Sequence, residues 1–147
     1  MKGKITLTII KPGAVQSEYI GPILNMIYEN EFHIAAMKLT RLTRRQAELF
    51  YAVHDGKPFY PGLIDFMTSG PIVVAILEKD NAVEDYRKLI GSTDPEKAEE
   101  GTIRKLFAES MQKNAVHGSD SDETAGKECD FFFSQIERFY KAEECCG

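Results

Sequence analysis

An α+β domain of ferredoxin-like βαββαβ order, with a four-stranded antiparallel sheet and helices packed on it, is predicted by three features of the sequence. Stretches of strand period and stretches of helical period follow one another as strand, helix, strand, helices, strand, helix and a last short strand. Ile72 to Leu77 is a continuous apolar run rich in branched residues, as a central strand covered on both faces requires. No internal repeat, low-complexity tract or linker composition divides the chain, so residues 1–147 read as one domain.

Each element has a local cause. Ile5, Leu7 and Ile9 alternate with Thr6 and Thr8, which predicts a strand with one face against the core, ended by Lys11-Pro12-Gly13. Ile20, Ile23, Leu24, Ile27 and Tyr28 make one stripe on a helix. Residues 33 to 41 alternate again, with Ala35, Met37 and Leu39 expected on one side. Thr43 and Gln46 form a capping-box pair that opens a helix through Ala47, Phe50 and Tyr51. The turn-like His54-Asp55-Gly56-Lys57-Pro58 leads to a short helix around Leu63 to Met67. After the central run, Asn81 is placed to cap a helix with Val83, Tyr86 and Leu89 inward, closed by Gly91. Ser92 to Glu100 reads as a surface loop, Ile103 to Phe107 as a short helix, and Asn114 to His117 as the last strand.

Composition narrows the function classes. Hydrophobic residues at 43% and charged residues at 28% belong to an ordinary soluble globular chain, long enough to bury a core. A net charge of −5 argues against a broad nucleic-acid-binding face, but a few Lys and Arg can still converge on a small anion. Of three cysteines, Cys129 stands alone and Cys145 and Cys146 are adjacent at the end; this is no disulfide framework and points to a reducing, cytoplasmic setting. Cys145 and Cys146 read as a frayed, reduced tail. No stretch approaches the ~18 apolar residues of a membrane span, and the start of the chain is too short and too interrupted by Thr for a signal peptide.

The stretch Asn114-Ala115-Val116-His117-Gly118-Ser119-Asp120-Ser121 holds the most chemistry. Ser and Asp favour a helix N-cap, and Asp120 with Glu123 resembles a capping box, so His117 is expected beside a helix N-terminus where a phosphate is favoured. Imidazole is a good covalent nucleophile near neutral pH. Glu128, seven residues beyond Ser121, is about two turns along that helix and can share the face that looks back at His117. From these residues alone His117 reads either as the centre of a phosphate site or as a residue that caps or packs beside a turn. His33 and His54 lack such a polar helix start after them and read as structural.

This stretch resembles the active-site signature of the nucleoside diphosphate kinases. Thr8-Ile9-Ile10-Lys11-Pro12, Tyr51, Lys57-Pro58-Phe59, Ser69-Gly70-Pro71, Gly91-Ser92-Thr93-Asp94-Pro95 and Gly101-Thr102-Ile103-Arg104 also match family motifs, in order and at family spacing, so the resemblance covers Ile5 to about Phe133. It implies that His117 takes the γ-phosphoryl of a nucleoside triphosphate on the ring nitrogen nearer the backbone, then passes it to a nucleoside diphosphate. Lys11 and Arg104 would hold the transferred group, and Lys11 would reach the sugar 3′-hydroxyl. Tyr51 would steady the lysine, Arg87 and Thr93 would bind the remaining phosphates, and Asn114 the sugar hydroxyls. Phe59 would stack on the base, Glu128 would orient His117, and Ser119 would support the carboxylate and its loop. Magnesium would enter with the nucleotide, with Asp120 as an outer-sphere helper. The resemblance further implies a homo-oligomer, either a hexamer or a tetramer.

The residue types suit phosphoryl transfer, in which positioning and charge stabilisation carry the rate. No Walker-type or protein-kinase glycine loop is present, in keeping with phosphates cradled by side chains. The chain departs from the family where Gly13-Ala14 replace the usual Asp-Gly, where Ser17 replaces a common Arg, and where Lys105-Leu106 follow Arg104. Two other readings remain at this level. One is a non-catalytic family member that binds nucleotides or partners; the other is a ferredoxin-like regulatory or nucleic-acid-binding domain in which His117 only caps a helix.

Overall fold

The computed structural model describes residues 3–141, so Cys145 and Cys146 lie outside the described residues. Four strands form one sheet: β1 (Ile5–Ile10), β2 (His33–Thr40), β3 (Ile72–Glu78) and β4 (Val116–Gly118), in the spatial order β2-β3-β1-β4 and antiparallel at every junction. This is the ferredoxin-like arrangement, in which each βαβ half brackets a strand of the other. Between the strands run α1 (Pro12–Gln16), α2 (Ile20–Glu29), α3 (Arg44–Phe50), α4 (Tyr60–Met67), α5 (Ala82–Ile90) and α6 (Ile103–Phe107); α7 (Asp122–Phe132) follows β4.

Helices cover both faces of the sheet. One apolar cluster joins Ile5, Leu7 and Ile9 of β1 and Val74 and Ile76 of β3 to Ala47, Ile64, Met67, Cys129 and Phe132 from α3, α4 and α7. The other joins Ile10, Val73, Ala75 and Leu77 to Ile23, Ile27, Tyr86, Ile90 and Ile103 from α2, α5 and α6. β3 is buried along its whole length, as its unbroken apolar run predicts.

The Thr43–Gln46 capping box is formed in both directions, and Gly91 closes α5 with φ 85°, a conformation that costs glycine nothing. Asn81 occupies the cap position of α5 but does not cap with its side chain; it is left-handed, and its amide donates to Glu84. The helix expected near Leu63 starts a turn earlier, at Tyr60.

Three expectations are corrected. β1 is buried on both faces rather than one, because α5 covers its threonine side: Thr8 Oγ1 and Tyr86 Oη lie 2.6 Å apart, and Thr6 is fully buried. In β2 the register slips between Ile34 and Ala36, so Ala35 and Ala36 both join the first cluster. Met37 and Leu39 then stand opposite Ala75 and Val73 on the other face and are 50% and 63% exposed, away from Ala35. The last strand starts at Val116, not Asn114. Ala115 takes φ 74°, and the Val116 N–H turns back to the Asn114 carbonyl, so the ladder cannot begin earlier.

Candidate active site

The pairing of β1 with β4 builds the site. Ile9 stands opposite His117 and Ile10 opposite Val116, so Lys11, the next residue after β1, reaches the entry to β4. There its N–H donates to the Ala115 carbonyl at 2.9 Å. Two residues more than a hundred positions apart are thereby carried on neighbouring strands.

The histidine side of the site is a closed polar chain. His117 Nε2 lies 2.9 Å from Glu128 Oε1, which also accepts from Ser119 Oγ at 2.6 Å. Ser119 Oγ in turn accepts from the Leu7 N–H at 3.1 Å, and Ser119 is fully buried. An ionised carboxylate can only accept, so a neutral imidazole donates from Nε2 and keeps its lone pair on Nδ1, the nitrogen nearer the backbone. The His117 side chain is 20% exposed, within reach of a ligand. Glu128 gets its position from α7, which packs on β1. That helix is capped by Ser121, whose hydroxyl accepts from the Thr124 N–H; the cap thus falls on Ser121 and not, as expected, on an Asp120–Glu123 box. Asp120 is exposed beside Ser119.

The cationic side is different in kind. Lys11 is buried, and Nζ donates to Asn114 Oδ1 at 2.7 Å, with Asn114 itself buried. Burial, helped by the nearby Arg104 charge, brings the lysine from its ordinary value near 10.5 down to about 7. Arg104 donates to the carbonyls of Gly91 and Val116, each at 3.0 Å, but its buried Nε has no hydrogen-bond partner among the described residues. Burial first, and then the charge of Arg87, hold this guanidinium down to about 10, with Tyr86 opposing. Arg87 is exposed on α5, and Thr93 is exposed on the loop that Arg104 grips at Gly91.

The aromatic residues divide. Phe59 is 51% exposed at the start of α4, with its ring 5.3 Å from that of His54. His54 also stacks on Tyr51, so this histidine links two candidate site residues and does more than mark a turn. Tyr51 is buried with no hydrogen-bond partner on its hydroxyl among the described residues, and burial, followed by the Glu128 charge, pushes its pKa up. Tyr51, expected to steady Lys11, makes no hydrogen bond to it; the ammonium donates to Asn114. Sequence reading gave Phe50 only a place in a helix, yet its ring meets the His117 ring edge-on at 5.6 Å. No spacing signal could have linked two residues brought together by tertiary packing alone.

Among the described residues no group of three or more His, Cys, Asp or Glu side chains is placed to hold a metal ion, and Glu128 is already engaged by His117 and Ser119. None of the described helices is long and apolar enough to cross a membrane.

A ferredoxin-like sheet carrying a tied-back imidazole beside a buried lysine and arginine has the equipment of a phosphotransferase: a nucleophilic nitrogen and cations to take up oxyanion charge. Comparison with known proteins goes further. The family model described as nucleoside diphosphate kinase matches residues 4–138. The chain is 56% identical over 133 residues to the nucleoside diphosphate kinase of Lawsonia intracellularis, covering 90% of this chain and 96% of that one. It is 59% identical over 134 residues to that of Flavobacterium psychrophilum, covering 91% and 96%. A crystal structure of the Aquifex aeolicus nucleoside diphosphate kinase superimposes with a TM-score of 0.90 at 41% identity, covering 92% of this chain and 98% of the other. The chain belongs to the nucleoside diphosphate kinase family and is a phosphotransferase acting on nucleotides.

Proposed function

We propose that the chain moves the γ-phosphoryl of a nucleoside triphosphate, chiefly ATP, to a nucleoside diphosphate through a phosphohistidine on His117. The observation that carries this reading is the Nε2–Glu128 bond, which commits one ring nitrogen and leaves the other its lone pair. In the first half-reaction Nδ1 attacks the γ-phosphorus, a P–N bond forms, the P–O bond to the β-phosphate breaks, and the diphosphate leaves with that electron pair. The proton on Nε2 stays shared with Glu128, which balances the positive charge on the ring. A second diphosphate reverses the sequence, a ping-pong scheme.

Lys11 and Arg104 supply charge to the group in transfer, Arg87 and Thr93 the grip on the remaining phosphates, Asn114 and Lys11 contacts to the sugar, and Phe59 a face for the base. Tyr51, one residue past α3, is assigned to steadying Lys11. The residue set suits magnesium held by the nucleotide's own phosphates and by water, with Asp120 acting through water. Bound so, the ion would offset phosphate charge. The match over residues 4–138 supports one domain across 1–147. We place the protein in the cytoplasm as a homo-oligomer, a hexamer or a tetramer.

Incubation with γ-labelled ATP tests this function. The wild-type chain should carry an acid-labile, base-stable phosphate. His117→Ala should lose label and exchange by at least about 10⁴-fold while still binding nucleotide, as loss of a nucleophile does. Label retained on His117→Ala would remove His117 from the role.

A further inference from the structure

The torsion that orients a histidine ring is broad and roughly two-fold, so the bond itself does not choose which nitrogen faces a ligand. A half-turn of His117 would carry Nε2 off Glu128 and move Nδ1 away from its present direction. The orientation is therefore set by what touches the ring. One contact is the Glu128 hydrogen bond; another is Phe50, whose ring lies 5.6 Å away at 72° to the imidazole, in the range of a favourable edge-to-face pair.

Phe50 is itself held. Its ring packs against Tyr51 at 4.9 Å and against Phe131 and Phe132 at 5.3 Å each. Tyr51 follows α3 directly, and both phenylalanines belong to α7, the helix that carries Glu128. The same helix thus supplies the imidazole's hydrogen-bond partner and anchors the wall beside it.

We propose that Phe50 is a positioning residue that keeps the His117 imidazole in the single orientation with Nε2 on Glu128 and Nδ1 presented for reaction. In its catalytic consequence this rests on the phosphohistidine reading above; the ring-holding itself can be read without nucleotide. In the nucleotide-free protein, side-chain ¹⁵N–¹H correlation spectra should show one sharp set of His117 ring signals. Phe50→Leu, which keeps an apolar side chain at the end of α3, should double or broaden them. In turnover it should lower kcat about tenfold with KM for nucleotide within twofold, the mark of a misaligned reacting group. ³¹P spectra of the labelled variant should show Nε2-phosphohistidine beside the Nδ1 form. Phe50→Tyr, which keeps the ring, should restore the wild-type pattern.

A folded Phe50→Leu chain with one sharp His117 set and unchanged kcat would overturn the proposal. So would losses in Phe50→Leu and Phe50→Tyr that are equal and merely follow their melting temperatures. A wild-type chain that takes no label would overturn the phosphotransfer reading, and the nucleotide-free spectra would still decide the role of Phe50.

Discussion

The two halves of the site are finished to different degrees. Around His117 the polar atoms satisfy one another: Leu7 N–H, Ser119, Glu128 and the imidazole form an unbroken chain of hydrogen bonds. Around Lys11 and Arg104 the charges are buried, and among the described residues no carboxylate is hydrogen-bonded to either. The lysine is pushed down to about 7 and the arginine keeps an unpartnered Nε. The imidazole is thus preset by the fold, whereas the cations are held in a setting that an anion would relieve. On the proposed function, stability has been spent on the side that would meet a charged ligand.

The sharpest way to break this contrast is Lys11→Met. If the lysine serves the anion and not the fold, kcat/KM should fall about 10²- to 10³-fold. The melting temperature of the free protein should hold or rise, since a desolvated ammonium is removed. A clear loss of thermal stability in that variant would place Lys11 on the structural side.

Ser119→Ala tests the opposite half. It strips the Leu7 N–H of its buried acceptor and Glu128 of a donor, so unfolding in urea should show a loss of about 1–3 kcal/mol without any nucleotide present. A neutral result would mean that the chain of bonds is not what holds the carboxylate.

The lysine also predicts a proton linkage. Unfolded, Lys11 titrates near 10.5; folded and free it titrates near 7, so between these values the unfolded chain binds more protons. This group's contribution to stability therefore increases as pH rises from about 7 to 10.5, and that rise should vanish in Lys11→Met. A bound phosphate tail raises the lysine again, so calorimetry of ADP binding at pH 8, in buffers of different ionisation heat, should register uptake of up to about one proton. Proton release on binding would refute the linkage.

The smallest effect belongs to Tyr51→Phe. Its hydroxyl is buried with no partner, so deleting it should change stability by less than about 1 kcal/mol. A fall in kcat without a change in melting point would show that the hydroxyl finds its partner only when nucleotide is bound.

Much of this was legible in the sequence where the physics is local. The Thr43–Gln46 box, the Gly91 closure and the unbroken apolar run of β3 each follow from residues that neighbour one another along the chain. The Ser121-to-Glu128 spacing put a carboxylate on the face toward His117 for the same reason. What escaped depends on partners far away in sequence. Thr6 and Thr8 look like a solvent face until α5 covers them, and Met37 and Leu39 look like core until the bulge at Ala35 turns them over. Ala115 gives no hint of its positive φ, and Phe50 no hint of its imidazole neighbour.

The β1–β4 pairing has a consequence for how the molecule comes into being. The lysine directly follows the first strand to be made and the histidine lies on the last, with Glu128 later still, on α7. During synthesis this early lysine therefore awaits His117 until most of the domain has emerged, and no shorter fragment unites the two. On the proposed assignment, the two sides of the site therefore meet in one late step, with closure of the sheet's final edge.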